Sequence, residues 1–160
     1  MLVLILALVV VTFDQLTKLW VRSAFICGGE PQAVIPGLFN LVYVRNEGAA
    51  WGMLGGQMPA LILLSFIVLI LLAIYHRKVL NPTIDHRIAL GLMVGGICGN
   101  LIDRIRVGWV TDFLDFHIGA YHWPSFNVAD SAICIAVGIY LLSSLWHTRH
   151  PLKNAVNEPK

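Results

Sequence analysis

Charge is what this sequence has least of. Only 12% of its 160 residues are Asp, Glu, Lys or Arg, against roughly 25% in soluble domains. A net charge of +2 supplies no basic field for nucleic acid, so nucleic-acid partners are excluded. Cysteine is sparse and odd in number: Cys27, Cys98 and Cys134 form neither a disulfide framework nor a Cys/His zinc spacing, and no metal or cofactor is expected. There is no Gly-x-Ser-x-Gly elbow and no His-Glu-x-x-His pair. The six histidines, His76, His86, His117, His122, His147 and His150, lie in loops or flanks, where interfacial roles are expected of them rather than catalytic ones.

What remains is apolar. The hydrophobic fraction is 58% and the mean hydropathy +0.76, more apolar surface than a soluble fold of this size can hide. An integral membrane protein is expected, with 1–160 as one domain. A hydrocarbon core needs about 20 helical residues. Runs of suitable length fall near 2–20, 60–75, 88–105 and 128–146, followed by a polar tail over 147–160. A signal peptide is the rival reading of 2–20, but that run lacks a basic start and a small-x-small cleavage site.

The connectors carry the remaining information. The stretch 22–59 is too long for a simple link. It has turns at Gly28-Gly29 and Pro36-Gly37 and a strand-like run over 38–44, which predicts a small sheet lying on the membrane surface between the first two helices. Asn81-Pro82 predicts a turn after the second span. Gly91, Gly95 and Gly99 repeat every four residues along the third span, a face that admits another helix backbone closely. Intramolecular packing is its expected use, and no oligomeric interface is evident, so a monomer is expected. Four spans place both termini on one side. Arg77, Lys78, Arg87, Arg149, Lys153 and Lys160 cluster on that side, which the positive-inside rule makes cytoplasmic.

Against this background the acids stand out. Asp112 and Asp130 lie 18 residues apart, flanking the outer connector, and ionisable groups at membrane depth are functional candidates by default. Two close carboxylates cannot both ionise freely. They share a proton, so one can act as general base and the other as general acid in peptide hydrolysis. Spacing alone leaves Asp115 open as an alternative to Asp112, and capping of the fourth helix is the plain reading of Asp130. Asp14 and Lys18 pair at i, i+4, either to secure the membrane boundary or to support the site. Asn100, Asp103 and Arg104 share one side of the third span's end.

These segments resemble the lipoprotein signal peptidases, or signal peptidase II, a family of bacterial membrane aspartic endopeptidases. The resemblance rests on Asp14-Gln15-Leu16-Thr17-Lys18, Asn46-Glu47-Gly48-Ala49-Ala50-Trp51-Gly52, the stretch from Gly95 to Arg104, Val110-Thr111-Asp112-Phe113 and Phe126-Asn127-Val128-Ala129-Asp130. It covers nearly the whole chain; Trp51 stands where Phe is frequent. It implies Asp112 and Asp130 as the catalytic pair, and supporting or substrate-binding roles for Asp14, Lys18, Asn46, Gly48, Asn100, Asp103, Arg104 and Asn127. It implies four transmembrane helices with a small extracytoplasmic sheet, the cytoplasmic (inner) membrane as location, and an active site toward the outer face. The implied reaction is removal of the signal peptide from a diacylglyceryl-modified prolipoprotein, before the lipidated cysteine. Membrane lipid is the other expected partner. Asn46 is expected to position the substrate backbone. Two readings of another class compete: a small proton-coupled transporter using the same acids as carriers, and a non-catalytic lipoprotein-binding factor.

Overall fold

The structure, a computed structural model, describes residues 1–48, 53–79 and 83–149. The expected turn at Asn81-Pro82, the motif residues 49–52 with Trp51, and most of the polar tail lie outside the described residues. Four long helices are joined by four short strands in the order α1 (Leu2–Ala24), β1 (Gln32–Ile35), β2 (Phe39–Asn46), α2 (Met58–Val79), α3 (Ile84–Arg106), β3 (Val110–Ile118), β4 (Tyr121–His122) and α4 (Val128–Arg149). All four helices are long and apolar enough to cross a membrane. The 23 residues of α1 span about 34 Å at helical rise, a little more than the hydrocarbon core.

These helices are inside-out relative to a soluble bundle. On α1 the buried positions are Ala7, Asp14, Lys18 and Val21, one face at helical spacing, while Leu4, Leu8, Phe13, Leu16 and Trp20 point outward. Lipid tails are as apolar as Leu, so burying Leu between helices gains little there, and small or polar residues take the interface instead. The third helix is the hub, with 50% of its apolar window buried against 6% for α2. The helix α3 packs on both α1 and α4, while α2 is attached mainly through α3.

The glycine face makes that contact possible. A Cβ on Gly91 would lie 2.8 Å from Leu6 Cβ, and one on Gly95 2.7 Å from Val10 Cβ. One residue on, about 100° round the helix, a Cβ on Gly96 would meet the Ala129 carbonyl oxygen of α4 at 2.5 Å. Gly91 and Gly95 thus admit α1, and Gly96 admits α4. The repeat is used within the chain, as expected.

The sheet between α1 and α2 is present and larger than the first connector could make it. β1 and β2 pair antiparallel, and β2 then pairs with β3 and β3 with β4. Half of the sheet therefore comes from the α3–α4 connector, which carried no strand signal. Val110–Ile118 is buried at Val110, Thr111, Asp112, Phe113 and Asp115, so the alternation that marks a half-exposed strand is missing. Between Leu41 and Val44, β2 carries one residue more than its partner segment between Asp112 and Leu114. Such bulges re-aim side chains next to them, and this one sits beside Asp112. A small core of Val21, Tyr43 and Phe113 fastens the sheet to the end of α1.

Candidate active site

The site forms where the C-terminal ends of α1 and α3 meet β3 and the N-terminus of α4. Asn127 immediately precedes α4. Its Oδ1 accepts the Asp130 backbone N–H at 3.0 Å, and Asp130 Oδ2 accepts the Asn127 backbone N–H at 3.2 Å. This reciprocal pair is a capping box, so Asp130 does cap the helix as its plain reading held. Only one carboxylate oxygen is used that way. The other, Oδ1, accepts the Asn100 amide at 2.7 Å.

Asp112 reaches the same point from β3. Its Oδ1 accepts from Asn127 Nδ2 at 2.7 Å and its Oδ2 from Asn46 Nδ2 at 2.9 Å. Asn127 therefore touches both carboxylates, and its Nδ2 also donates to Asn100 Oδ1 at 3.2 Å. Asp112 is 2% exposed. Burial first, and then the neighbouring Asp130 charge, push its carboxyl up to about 7, against the opposing N–H groups of Asn46 and Asn127 and the Lys18 charge.

Asp115 lies three residues on, an odd step that puts it on the other face of the strand. It accepts from Asn40 Nδ2 at 2.9 Å and pairs with His122 Nδ1 at 2.9 Å. Burial acts to raise its carboxyl, but the His122 and Asn40 hydrogen bonds outweigh that and hold it below the ordinary range. Its hydrogen bonds are thus made within the sheet rather than at the capping box.

Beneath the pair lies a charged layer. Lys18 and Asp14 are fully buried and paired at 2.9 Å. The Lys18 ammonium also contacts Asp103 Oδ2 at 3.4 Å and Asn100 Oδ1 at 2.9 Å. Asp14 Oδ1 accepts the Ala129 N–H at 3.0 Å, satisfying a free donor of the first turn of α4. The Asp14–Lys18 pair therefore bonds both α3 and the first turn of α4. Asp103 accepts the Thr111 backbone N–H at 3.0 Å and Arg22 Nη1 at 3.2 Å, which ties α3 to the start of β3. Gly108, at φ +83°, lets the chain reverse sharply enough for that contact. Arg104 donates to the Gly48 carbonyl at 3.3 Å and lies within the field of Asp130, Asp112 and Asp103.

The structure thus gathers Asp112, Asp130, Asn46, Asn100 and Asn127 at one point, with Asp14, Lys18 and Asp103 beneath them and Arg104 bonded to Gly48 beside them. Asn46, expected to position the substrate backbone, donates from Nδ2 to Asp112 and accepts the Gly48 N–H at 2.9 Å through Oδ1. Three members of the layer were not singled out from the sequence. Gln15 donates to Asp14, the Gly99 carbonyl and, at 3.4 Å, Asp103; Arg22 and Thr111 bond each other at 2.8 Å. Arg22 continues the Asp14, Lys18 spacing by another four residues, and that stripe was the available signal. Among the described residues no group of three or more His, Cys, Asp or Glu side chains is gathered as a metal ion would need.

Four apolar helices, a sheet closing one end, and a polar network buried at their junction define a multi-pass membrane protein whose interior is organised around carboxyl groups. The signal peptidase (SPase) II family model matches residues 6–146. Relatives include the lipoprotein signal peptidases of Syntrophotalea carbinolica, 47% identical with 88% of each chain covered, and of Desulforapulum autotrophicum, 40% identical with 83% of this chain and 85% of the relative covered. A bacterial membrane enzyme solved by the in meso method at 2.3 Å superposes with a TM-score of 0.86 at 35% identity, covering 97% of this chain and 94% of that one. The chain belongs to the signal peptidase II family. It is accordingly a membrane-spanning protease of the lipoprotein-processing family, in the bacterial inner membrane.

Proposed function

We propose that the chain is an aspartic endopeptidase in which Asp112 and Asp130 activate the water that hydrolyses a prolipoprotein. The observation that carries this reading is that one residue, Asn127, bonds both carboxyl groups, Asp112 through its side-chain Nδ2 and Asp130 through its backbone N–H. Carboxyls held this way share one proton. The ionised member takes a proton from water as it attacks the scissile carbonyl, and the protonated member supplies one to the leaving amine. No metal or cofactor enters the step.

The substrate is a precursor whose cysteine carries diacylglyceryl, cut just before that cysteine. Its acyl chains stay in the bilayer and hold the scissile bond at the depth of the sheet. The charge asymmetry of the loops orients the chain with both termini cytoplasmic and the pair toward the outer face. The whole of 1–160 works as one peptidase domain, and as a monomer.

The test is cleavage of a lipid-modified precursor by detergent-purified protein, wild type beside Asp112→Asn and Asp130→Asn. Both variants are expected to be correctly inserted and inactive, with wild-type cleavage unaffected by a chelator. Turnover by either variant at the wild-type rate defeats the assignment, and absence of wild-type cleavage favours the transporter or binding-factor readings.

A further inference from the structure

The second layer raises a question of direction. An Asn side chain has a donor end and an acceptor end, and Asp130 benefits only if Asn100 presents its donor. Asn100 is bonded on both sides. Its Oδ1 meets Lys18 Nζ at 2.9 Å and Asn127 Nδ2 at 3.2 Å, and its Nδ2 meets Asp130 Oδ1 at 2.7 Å. An ammonium can only donate, so Lys18 accepts nothing from a flipped amide. Asn127 is fixed in turn, because its Oδ1 is occupied by the Asp130 backbone N–H, another group that can only donate.

We infer that Lys18 is a positioning residue for the acid pair: its buried ammonium locks the Asn100 amide so that a donor, never an oxygen, faces Asp130. The direct contacts of Lys18 are all made in the layer beneath the pair. Lys18 is fully buried and spends its contacts on Asp14, Asp103 and Asn100, so it touches neither carboxyl of the pair. Through Asn100 it keeps Asp130 a hydrogen-bond acceptor, which suits the member that takes the proton from water. Asp130 also lies in the first turn of α4, where the helix dipole favours negative charge. Asp112 is left as the member that carries the proton, in keeping with its burial and with a carboxyl pushed up to about 7. The two aspartates thus receive different roles from their surroundings.

The charged and polar groups around the pair are Asp14, Lys18 and Arg22 on α1, Asn100, Asp103 and Arg104 on α3, Asn46 with the exposed Glu47 at the end of β2, and Asn127 before α4. Lys18 also acts on Asp112 by its charge alone, so removing it singly would mix two effects. The variant Asp14→Asn/Lys18→Met separates them. It removes one negative and one positive charge together, keeps an acceptor for the Ala129 N–H, and leaves Asp103 paired with Arg22.

The inference rests on the acid-pair reading, and the Asp112→Asn and Asp130→Asn variants test that separately. The experiment is the pH profile of kcat/KM for wild type, Asp14→Asn/Lys18→Met, Asn100→Leu and the three-site combination, in detergent with a lipid-modified precursor. Freeing the amide costs a hydrogen bond to a charged group, so the double variant is expected to lose about tenfold to a hundredfold in kcat/KM. The acid limb of its profile should move upward by about one pH unit or more. Asn100→Leu should do the same in the wild-type background and far less in the Asp14→Asn/Lys18→Met background, because the lever is already released. A merely structural Lys18 would lower the folded fraction and leave the limb in place. An unmoved limb in a folded double variant, or an equal cost of Asn100→Leu in both backgrounds, overturns the inference. If the double variant does not fold, Asn100→Leu alone decides: its limb must move for the inference to stand.

Discussion

Asn127 does two jobs that a single substitution can separate. Its oxygen caps α4 and its nitrogen holds Asp112. In Asn127→Ser the hydroxyl oxygen can still accept the Asp130 N–H, since Ser is as good an N-cap as Asn. It cannot reach Asp112. The side chain is shorter by about one bond, roughly 1.5 Å, which stretches the 2.7 Å contact to about 4 Å, beyond hydrogen-bond range. Asn127→Ala loses both functions. A hydrogen bond to a charged group contributes about 1.5–3 kcal/mol, so both variants should lose ~10–150-fold in kcat/KM. Only the Ala variant should also lose the cap, ~1 kcal/mol of stability. The assays are cleavage of a lipid-modified precursor and thermal unfolding in the same detergent. Near-wild-type cleavage by Asn127→Ser would refute the claim that the Asn127 amide serves the pair. Equal stability losses in both variants would refute the cap.

Other expectations follow from the same contacts. Asp115→Asn should keep kcat/KM close to wild type while losing ~1 kcal/mol of stability with its His122 contact, in contrast to an inactive Asp112→Asn. Gly99→Ala would place a methyl 2.6 Å from Asp14 Oδ2, so it should depress cleavage and stability together. Gly138→Ala meets nothing within 4 Å and should leave both unchanged in the same two assays. With Asp112 raised to about 7, the proton needed by the leaving amine is held below that pH and lost above it, so kcat/KM should fall as pH rises through about 7. A rate that climbs steadily across that range would contradict Asp112 as the acid.

The spans were legible because apolar runs of that length have few other uses, and their ends were less so. Helix α3 begins at Ile84, four residues before the expected start at 88. Asp85, His86 and Arg87 look like loop residues, yet His86 is buried with its ring 5.0 Å from Tyr140 and Ser143 bonds Asp85 at 3.2 Å. Packing against α4 carries the helix past the apolar window. β3 was hidden for a related reason, since a strand covered on both faces loses its alternation. Asp112 could not be told from Asp115 by composition, but the pleat of a strand separates them as soon as the strand exists. What no local pattern contained was the pairing across the chain, such as Lys18 with Asn100 and Asp14 with Ala129.

Charge balance explains why so sparse a charge complement is spent here. Buried ions are tolerated when each has a partner and strongly destabilising when one is removed. Lys18 and Arg22 answer Asp14 and Asp103. Arg104 faces Asp112 and Asp130 as well as Asp103, and the Lys18 charge also reaches Asp112. A fully ionised pair sets two neighbouring negative charges in a buried site, which these cations offset. On the proposed reading, in which the two carboxyls share one proton, these cations favour keeping the other carboxyl ionised. Arg104→Gln should upset that balance in a defined direction: with the cation gone, the pair gains by taking its second proton, and the acid limb of the cleavage profile should move to higher pH. A limb that stays in place, with the variant folded, would mean that Arg104 serves the Gly48 carbonyl and not the pair.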